Sequence, residues 1–257
     1  MRVRNALSDG GGVPPRPLSV NDLDRLIRNL PAAQRAAIAW APAELRAAIN
    51  SLRGSTDLSA ADVARASEQI FRLLESVLGP IASSIGAEEL SVEVSALWAK
   101  ELDLLRSFLP DSASVHAAEW TFRSLDRTFR AVLASAGSHD WAVVLSQLKD
   151  KGMPPEAFSS EIGGLFRAQA LLMAAIAEAE DNGKPENAAR LVDEAFLEMS
   201  GFIDALARVG LQIDPYADEP DGERANRLLA YVQDIRETLT SEDIERTVRT
   251  GHLCQLR

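Results

Sequence analysis

The stretch PEAFSSEIGGLFRAQALLMAAIAEAEDNGKPENAARLVDEAFLEM, residues 155–199, decides the fold class. Mostly apolar side chains recur there at alternating steps of four and three residues, on both sides of a DNGKP segment. This spacing is typical of a seam between packed, nearly antiparallel helices. The positions are Phe158, Ile162, Leu165, Gln169, Leu172 and Ile176, then Ala188, Val192, Ala195, Met199, Phe202, Leu206 and Val209. The sequence therefore predicts a helical hairpin, 155–180 and 185–209, joined by a tight corner.

A second pattern in this region resembles a tetratricopeptide repeat, which stacks into an array with a concave peptide-binding surface. Two sets of residues have the spacing of its large and small positions: Trp141, Gly152, Ala157 and Gly164, then Leu172, Gly183, Ala188 and Ala195. The echo recurs after 31 residues, whereas the family repeats after about 34 residues. No third copy follows. We therefore favour a bundle hairpin, and a degenerate repeat stays open as the alternative.

Helical spacing continues through most of the remaining chain. Glycine and proline in residues 1–18 predict a flexible arm. Ser19 predicts a helix start, and prolines then divide the chain into short helices that end near Gly54. Further helices are predicted from Ser59 to Gly79-Pro80, over 87–109, over 112–136 and from Gly222. Because no alternation of period two appears, we predict an all-α multi-helix bundle of long antiparallel hairpins, with a short-helix N-terminal region.

Charge is spread unevenly along the chain. We divide the chain into the arm at 1–18, an N-terminal helical region at 19–136 and an acidic C-terminal helical bundle at 137–257. Residues 137–257 have a net charge of −10, out of −11 for the whole chain. An acidic surface repels nucleic-acid phosphates and attracts basic proteins. The sequence therefore favours a protein partner, with basic charge as one option, and no direct contact with nucleic acid. The alternative reason for the acidic charge is the solubility of the surface.

Several features favour a cytoplasmic location. Cys254 is the single cysteine, which leaves no material for an internal disulfide. The N-terminal residues lack the apolar run of a secretory signal. The longest apolar stretch, 165–177, is too short for a membrane span and contains Arg167 and Gln169. We therefore expect no membrane contact, with triggered insertion of 165–177 as a minor alternative.

Residues that could carry chemistry are few. His116 and Glu119 share a helix face, but they lack the Glu-x-x-His order of carboxylate-bridged metal bundles. Glu178-x-x-Asp181 and Glu242-x-x-Glu245 resemble the carboxylate spacing with which all-α nucleotide pyrophosphatases hold Mg²⁺. No nucleophile elbow or phosphate loop occurs. We predict no catalytic residue, no cofactor and no metal.

These observations favour a non-catalytic protein that acts as an adaptor or regulatory subunit by binding another protein. The predicted contact residues are Glu178, Glu180, Asp181, Glu186, Asp218, Glu219 and Asp221. One alternative is a charge-mimicking inhibitor or immunity protein against a basic nuclease or DNA-binding partner. The other is a Mg²⁺-dependent all-α hydrolase, which requires its carboxylates to converge.

Overall fold

The predicted all-α bundle is confirmed. The structure is a computed structural model that describes residues 18–55, 58–135, 160, 163–208, 210, 212–220, 222–227 and 229. Its helices are α1 (Val20–Arg28), α2 (Ala32–Ile38), α3 (Ala41–Gly54), α4 (Ala60–Ile85), α5 (Ala87–Phe108), α6 (Ser112–Ser135), α7 (Gly164–Glu180) and α8 (Pro185–Arg208). Residues 222–227 and 229 are also helical, and these described ranges contain no strand.

Serine caps begin two of the helices where the sequence predicts them. The hydroxyl of Ser19 accepts a hydrogen bond from the backbone N–H of Asp22 at 3.0 Å. Ser59 does the same for Asp62 at 3.1 Å. Each cap satisfies one of the backbone donors that a helix leaves free at its first turn.

Helix α7 lies at the centre of the bundle. Every residue from Gly164 to Ala179 is buried, and α7 contacts α3, α4, α5, α6 and α8. A helix that is apolar all round is expected to be enclosed on every side. Gly164 permits the closest approach, because a Cβ there would lie 2.7 Å from the backbone oxygen of Glu198 on α8.

The hairpin of α7 and α8 is confirmed, and its corner follows from a left-handed residue. Asn182 has a φ of 49°, a conformation that asparagine tolerates better than most residues. The N–H of Gly183 donates to the carbonyl of Glu178 at 2.8 Å, and that of Asn182 donates to Ala179 at 3.2 Å. These two bonds form the Schellman motif that ends many helices.

Two predicted helix bounds are wrong. Helix α4 continues through Pro80 to Ile85, whereas the sequence predicts its end at Gly79-Pro80. Proline removes the donor to the carbonyl of Ser76, but Ser76 is exposed, so water can replace that donor. The extra turn buries Ile81, which offsets part of the cost of the proline.

The other wrong bound is the start of the first hairpin helix. It begins at Gly164 rather than Pro155, because Ser160 is a bend. Residues 155–159, 161 and 162 lie outside the described part of the chain. By contrast, α5 and α6 end within one residue of their predicted bounds.

A single hydrophobic core extends from Leu18 to Phe202, so it includes residues on both sides of the predicted domain boundary at 136. The boundary itself lies at the edge of residues 136–159, outside the described part, and stays a prediction. Residues 1–17 of the predicted arm also lie outside it. Among the described helices, none is long and apolar enough to cross a membrane.

Candidate functional site

The predicted contact residues at the α7–α8 corner are held by an arginine from α3. Arg53 Nε lies 2.6 Å from Glu178 Oε2, and its Nη1 lies 2.5 Å from Asp181 Oδ2. The backbone N–H of Lys184 donates to Glu178 Oε1 at 3.0 Å. The side chain of Glu178 is only 9% exposed. Its charge is therefore already neutralised within the protein, whereas Asp181 reaches solvent.

The electrostatics of the corner agree with this geometry. Burial alone would raise the pKa of Glu178, but the hydrogen bonds from Lys184 and Arg53 hold the pKa below its usual value. Burial likewise opposes the charged form of Arg53, yet its bonds to Asp181 and Glu178 raise the pKa of the guanidinium. The three charges stabilise one another and fix the hairpin against the end of α3.

The predicted contact residues in the loop 212–220 also have partners within the chain. Asp218 forms an ion pair with Arg127 of α6, and Glu219 pairs with Arg227 at 2.9 Å. Tyr216 is buried, with the guanidinium carbon of Arg227 3.4 Å from its ring centroid. Glu219 is thus mostly enclosed. Asp221, the last predicted contact residue, lies outside the described part of the chain.

The outer side of α8 presents acidic residues to solvent. Glu186, Asp193, Leu197 and Asp204 are spaced by seven, four and seven residues, so they share one face of the helix. Glu194 is adjacent and also exposed. Leu197 is a large apolar side chain that is 45% exposed. We call these five residues the α8 outer face; Glu186 is the member that the sequence predicts.

Asp193 has an unfavourable electrostatic environment. Neighbouring atoms desolvate its carboxyl group although the residue reaches solvent, and Asp111 and Glu194 repel its charge. Together these effects raise the pKa of Asp193 to about 6. Among the described residues, no ion pair joins a cation to Asp193 or Glu194. The negative charge at this point of the surface is therefore uncompensated.

A second acidic cluster lies inside the bundle, where α1, α5 and α7 meet. It contains Asp22, Glu101 and Glu180, and one carboxylate oxygen from each lies within 4.8 Å of the others. Lys100 Nζ lies 3.1 Å from Asp22 Oδ2 and 3.6 Å from Glu101 Oε1. Glu180 accepts a hydrogen bond from Asn21 at 3.0 Å. We call Asp22, Glu101 and Glu180 the carboxylate cluster.

Charge is distributed unequally within the carboxylate cluster. Burial and the contact with Asp22 raise the pKa of Glu101 to about 8, so Glu101 is mostly protonated at neutral pH. Burial would raise the pKa of Asp22, but hydrogen bonds from Glu101 and Lys100 lower it. Burial, with repulsion from Asp22, raises the pKa of Glu180. The arrangement is a neutral acid between two carboxylates, and such groups are candidates for cation or proton binding.

The other candidates are weaker. Glu119 pairs with Arg106 at 3.1 Å and with Arg123 at 3.0 Å, so its carboxylate is engaged by two arginines. Glu242 and Glu245 of the hydrolase alternative lie outside the described residues. A shallow groove of about 370 Å³ adjoins the half-exposed Trp40. Two of its charged lining residues, Glu68 and Arg72, pair with each other.

Sequence reasoning missed the carboxylate cluster except for Glu180. Glu101 occupies a core position of the α5 stripe, four residues after Leu97 and four before Leu105. A carboxylate at such a position is the signal that could have found it, because an unpaired buried charge is costly. Asp22 gave no comparable signal, since an acidic residue in a first turn is common.

Comparison with known proteins identifies no relative of this chain. No family model, curated protein or solved structure matches the chain. The candidate sites therefore depend on the geometry of the chain itself.

Proposed function

We propose that this protein acts by binding another protein, of basic charge, through the α8 outer face. The uncompensated negative charge of Asp193 and Glu194 carries this proposal. The sequence did not predict these two as contact residues. Four of the seven carboxylates that it did predict pair with arginines of the same chain, whereas Asp193 and Glu194 have no such partner among the described residues. A cationic group of a partner would relieve their mutual repulsion.

The composition of the α8 outer face also supports this proposal. Stable interfaces combine an apolar centre with a polar rim. Leu197 provides an exposed apolar group, with Asp193 and Glu194 one turn before it and Asp204 two turns after it. The role is that of a cytoplasmic adaptor or regulatory subunit, as the sequence predicts.

Reversal of the unpaired charges tests the proposal. The variant Asp193→Lys/Glu194→Lys changes two exposed residues on α8, and the control Glu75→Lys/Glu89→Lys makes the same change of charge on exposed residues of α4 and α5. Proteins that co-purify with each variant are quantified against wild type. We expect a specific partner to be lost from the α8 variant and retained by the control. Retention by both variants, or loss from both, would contradict the proposal.

A charge-mimicking inhibitor presents the same kind of acidic surface. The uncompensated charge of Asp193 and Glu194 therefore supports this second function as well. It differs in its partner, which would itself bind DNA. Duplex DNA should then compete with this protein for the partner, and the affinity should fall steeply with salt. A partner whose binding DNA leaves unchanged would exclude this alternative and leave the adaptor role.

A further inference from the structure

We propose that the carboxylate cluster of Asp22, Glu101 and Glu180 binds a hard divalent cation such as Mg²⁺, Mn²⁺ or Ca²⁺. The three carboxylate oxygens lie within 4.8 Å of one another. Opposite oxygen ligands of such ions are separated by about 4–5 Å, twice the metal–oxygen distance. All of the ligand atoms are oxygen, which selects hard cations over ions that prefer sulfur or nitrogen.

The bonding of Glu101 is a second, independent observation that indicates a ligand. Its side chain is 0% exposed; it contacts the carboxylate of Asp22, but neither of its oxygens accepts a hydrogen bond. Buried polar groups are nearly always satisfied, and each exception requires an explanation. A cation among the three carboxylates would supply the missing interaction.

Lys100 does not remove this requirement. Its Nζ lies 3.1 and 3.3 Å from the two oxygens of Asp22, within hydrogen-bond distance, but 3.6 Å from Glu101. The ammonium group therefore donates hydrogen bonds to Asp22 and none to Glu101. The Lys100 side chain is 55% exposed, so it can move into solvent when a metal ion enters from the same side.

A proton competes with the cation for this site. Glu101 faces Asp22 on α1, Lys100 on its own helix and Glu180 on α7, while Arg25 on α1 lies 3.7 Å from Asp22. Carboxylates bind a metal ion in their ionised form, so protons compete with the cation and the affinity should rise with pH. A bound ion would link α1 and α5 to the central helix α7.

Titration of the full-length, metal-free protein with Mn²⁺ tests the site. Free Mn²⁺ is followed by electron paramagnetic resonance at pH 6.5 and 8.5, and the melting temperature is recorded with Mn²⁺, Mg²⁺ and Ca²⁺. We expect one Mn²⁺ per chain, tighter binding at pH 8.5, and a rise in melting temperature of about 5–10 °C at a hundredfold excess over Kd. No binding at millimolar Mn²⁺ and pH 8.5 would overturn the proposal.

Two variants identify the ligands. Glu101→Gln preserves the volume of the buried side chain and can still donate to Asp22, as the neutral acid does. Glu180→Gln changes the partly exposed member of the cluster, and Glu75→Gln is the control on an exposed face. We expect Glu101→Gln and Glu180→Gln each to weaken Mn²⁺ binding at least about tenfold, with the control unchanged. Wild-type affinity in both cluster variants would refute the assignment.

Discussion

Replacement of Arg53 by methionine measures how strongly α3 holds the α7–α8 corner. The Arg53 side chain is 16% exposed and pairs with Glu178 at 2.6 Å and with Asp181 at 2.5 Å. Methionine retains most of the apolar stem but removes both ion pairs. Loss of one partner from a buried pair costs about 3–5 kcal/mol. Because Glu178 keeps the Lys184 N–H at 3.0 Å, we expect the free energy of unfolding to fall by about 2–4 kcal/mol at pH 7.

Denaturant unfolding at equilibrium is the assay, with Arg65→Met as the matched control. The Arg65 side chain is 77% exposed and pairs only with Asp62 on the same helix, so its loss should cost less than about 0.5 kcal/mol. In a Glu178→Gln background, Arg53→Met should cost less than about 1 kcal/mol, since no buried carboxylate is then left unpaired.

The effect of Arg53→Met also depends on pH. The folded-state pKa of Glu178 is held below its usual value by the hydrogen bonds from Lys184 and Arg53. Its ion pair therefore contributes stability above the unfolded pKa and loses it as the pH falls through the folded pKa. The difference between wild type and Arg53→Met should shrink in acid. An equal cost of the substitution with and without the Glu178 carboxylate, or a difference that does not depend on pH, would refute the reasoning.

Three further predictions concern two glycines of the hairpin, a buried and an exposed leucine, and the carboxylate cluster. Gly183→Ala should lower the free energy of unfolding by about 1–3 kcal/mol because its Cβ would lie 2.6 Å from a buried carboxyl carbon, whereas Gly201→Ala, with nothing within 4 Å, should raise it by about 0.5–1 kcal/mol. Leu172→Ala, in the centre of the core, should cost about 3–5 kcal/mol in denaturant unfolding; Leu197→Ala should leave stability within about 0.5 kcal/mol of wild type and weaken partner binding in the same pull-down. Without divalent cations, wild type should lose stability between pH 4.5 and 8, because Glu101 is ionised in the unfolded chain but stays protonated in the fold up to about 8. Asp193, with its pKa raised to about 6, contributes part of the loss at the acid end of this range. Glu101→Gln should therefore reduce the loss in thermal melts, most clearly between pH 6 and 8, and an unchanged pH profile would contradict the assignment.

The helical hairpin could be predicted because its signals are local. The alternating steps of four and three residues and the Asn182-Gly183 corner are both read within a few residues of the chain. The sequence also contained a signal for the central position of α7. Most residues in 165–177 are apolar or small, so this stretch has no broad polar face. We interpreted that stretch as one seam, or as a membrane-inserting segment, whereas the structure encloses it with five other helices.

The carboxylate cluster could not be predicted from spacing. Asp22, Glu101 and Glu180 come from three helices that are distant in sequence, and only tertiary packing brings them together. The same limit applies to the predicted contact residues. Glu178 and Glu219 are acidic in the sequence, but their arginine partners follow from the fold. Our prediction of no metal was made without knowledge of this cluster. We replace that prediction with the proposed cation site.

The enclosure of α7 has a consequence for synthesis of the chain. The inner faces of α3 to α6 are complete once residue 135 has left the ribosome, but the helix that covers them does not begin until Gly164. α7 therefore cannot cover those apolar faces until about 45 more residues have been translated, which takes a few seconds at typical elongation rates. A nascent chain arrested in this interval exposes its core, and chaperone binding should be strongest there.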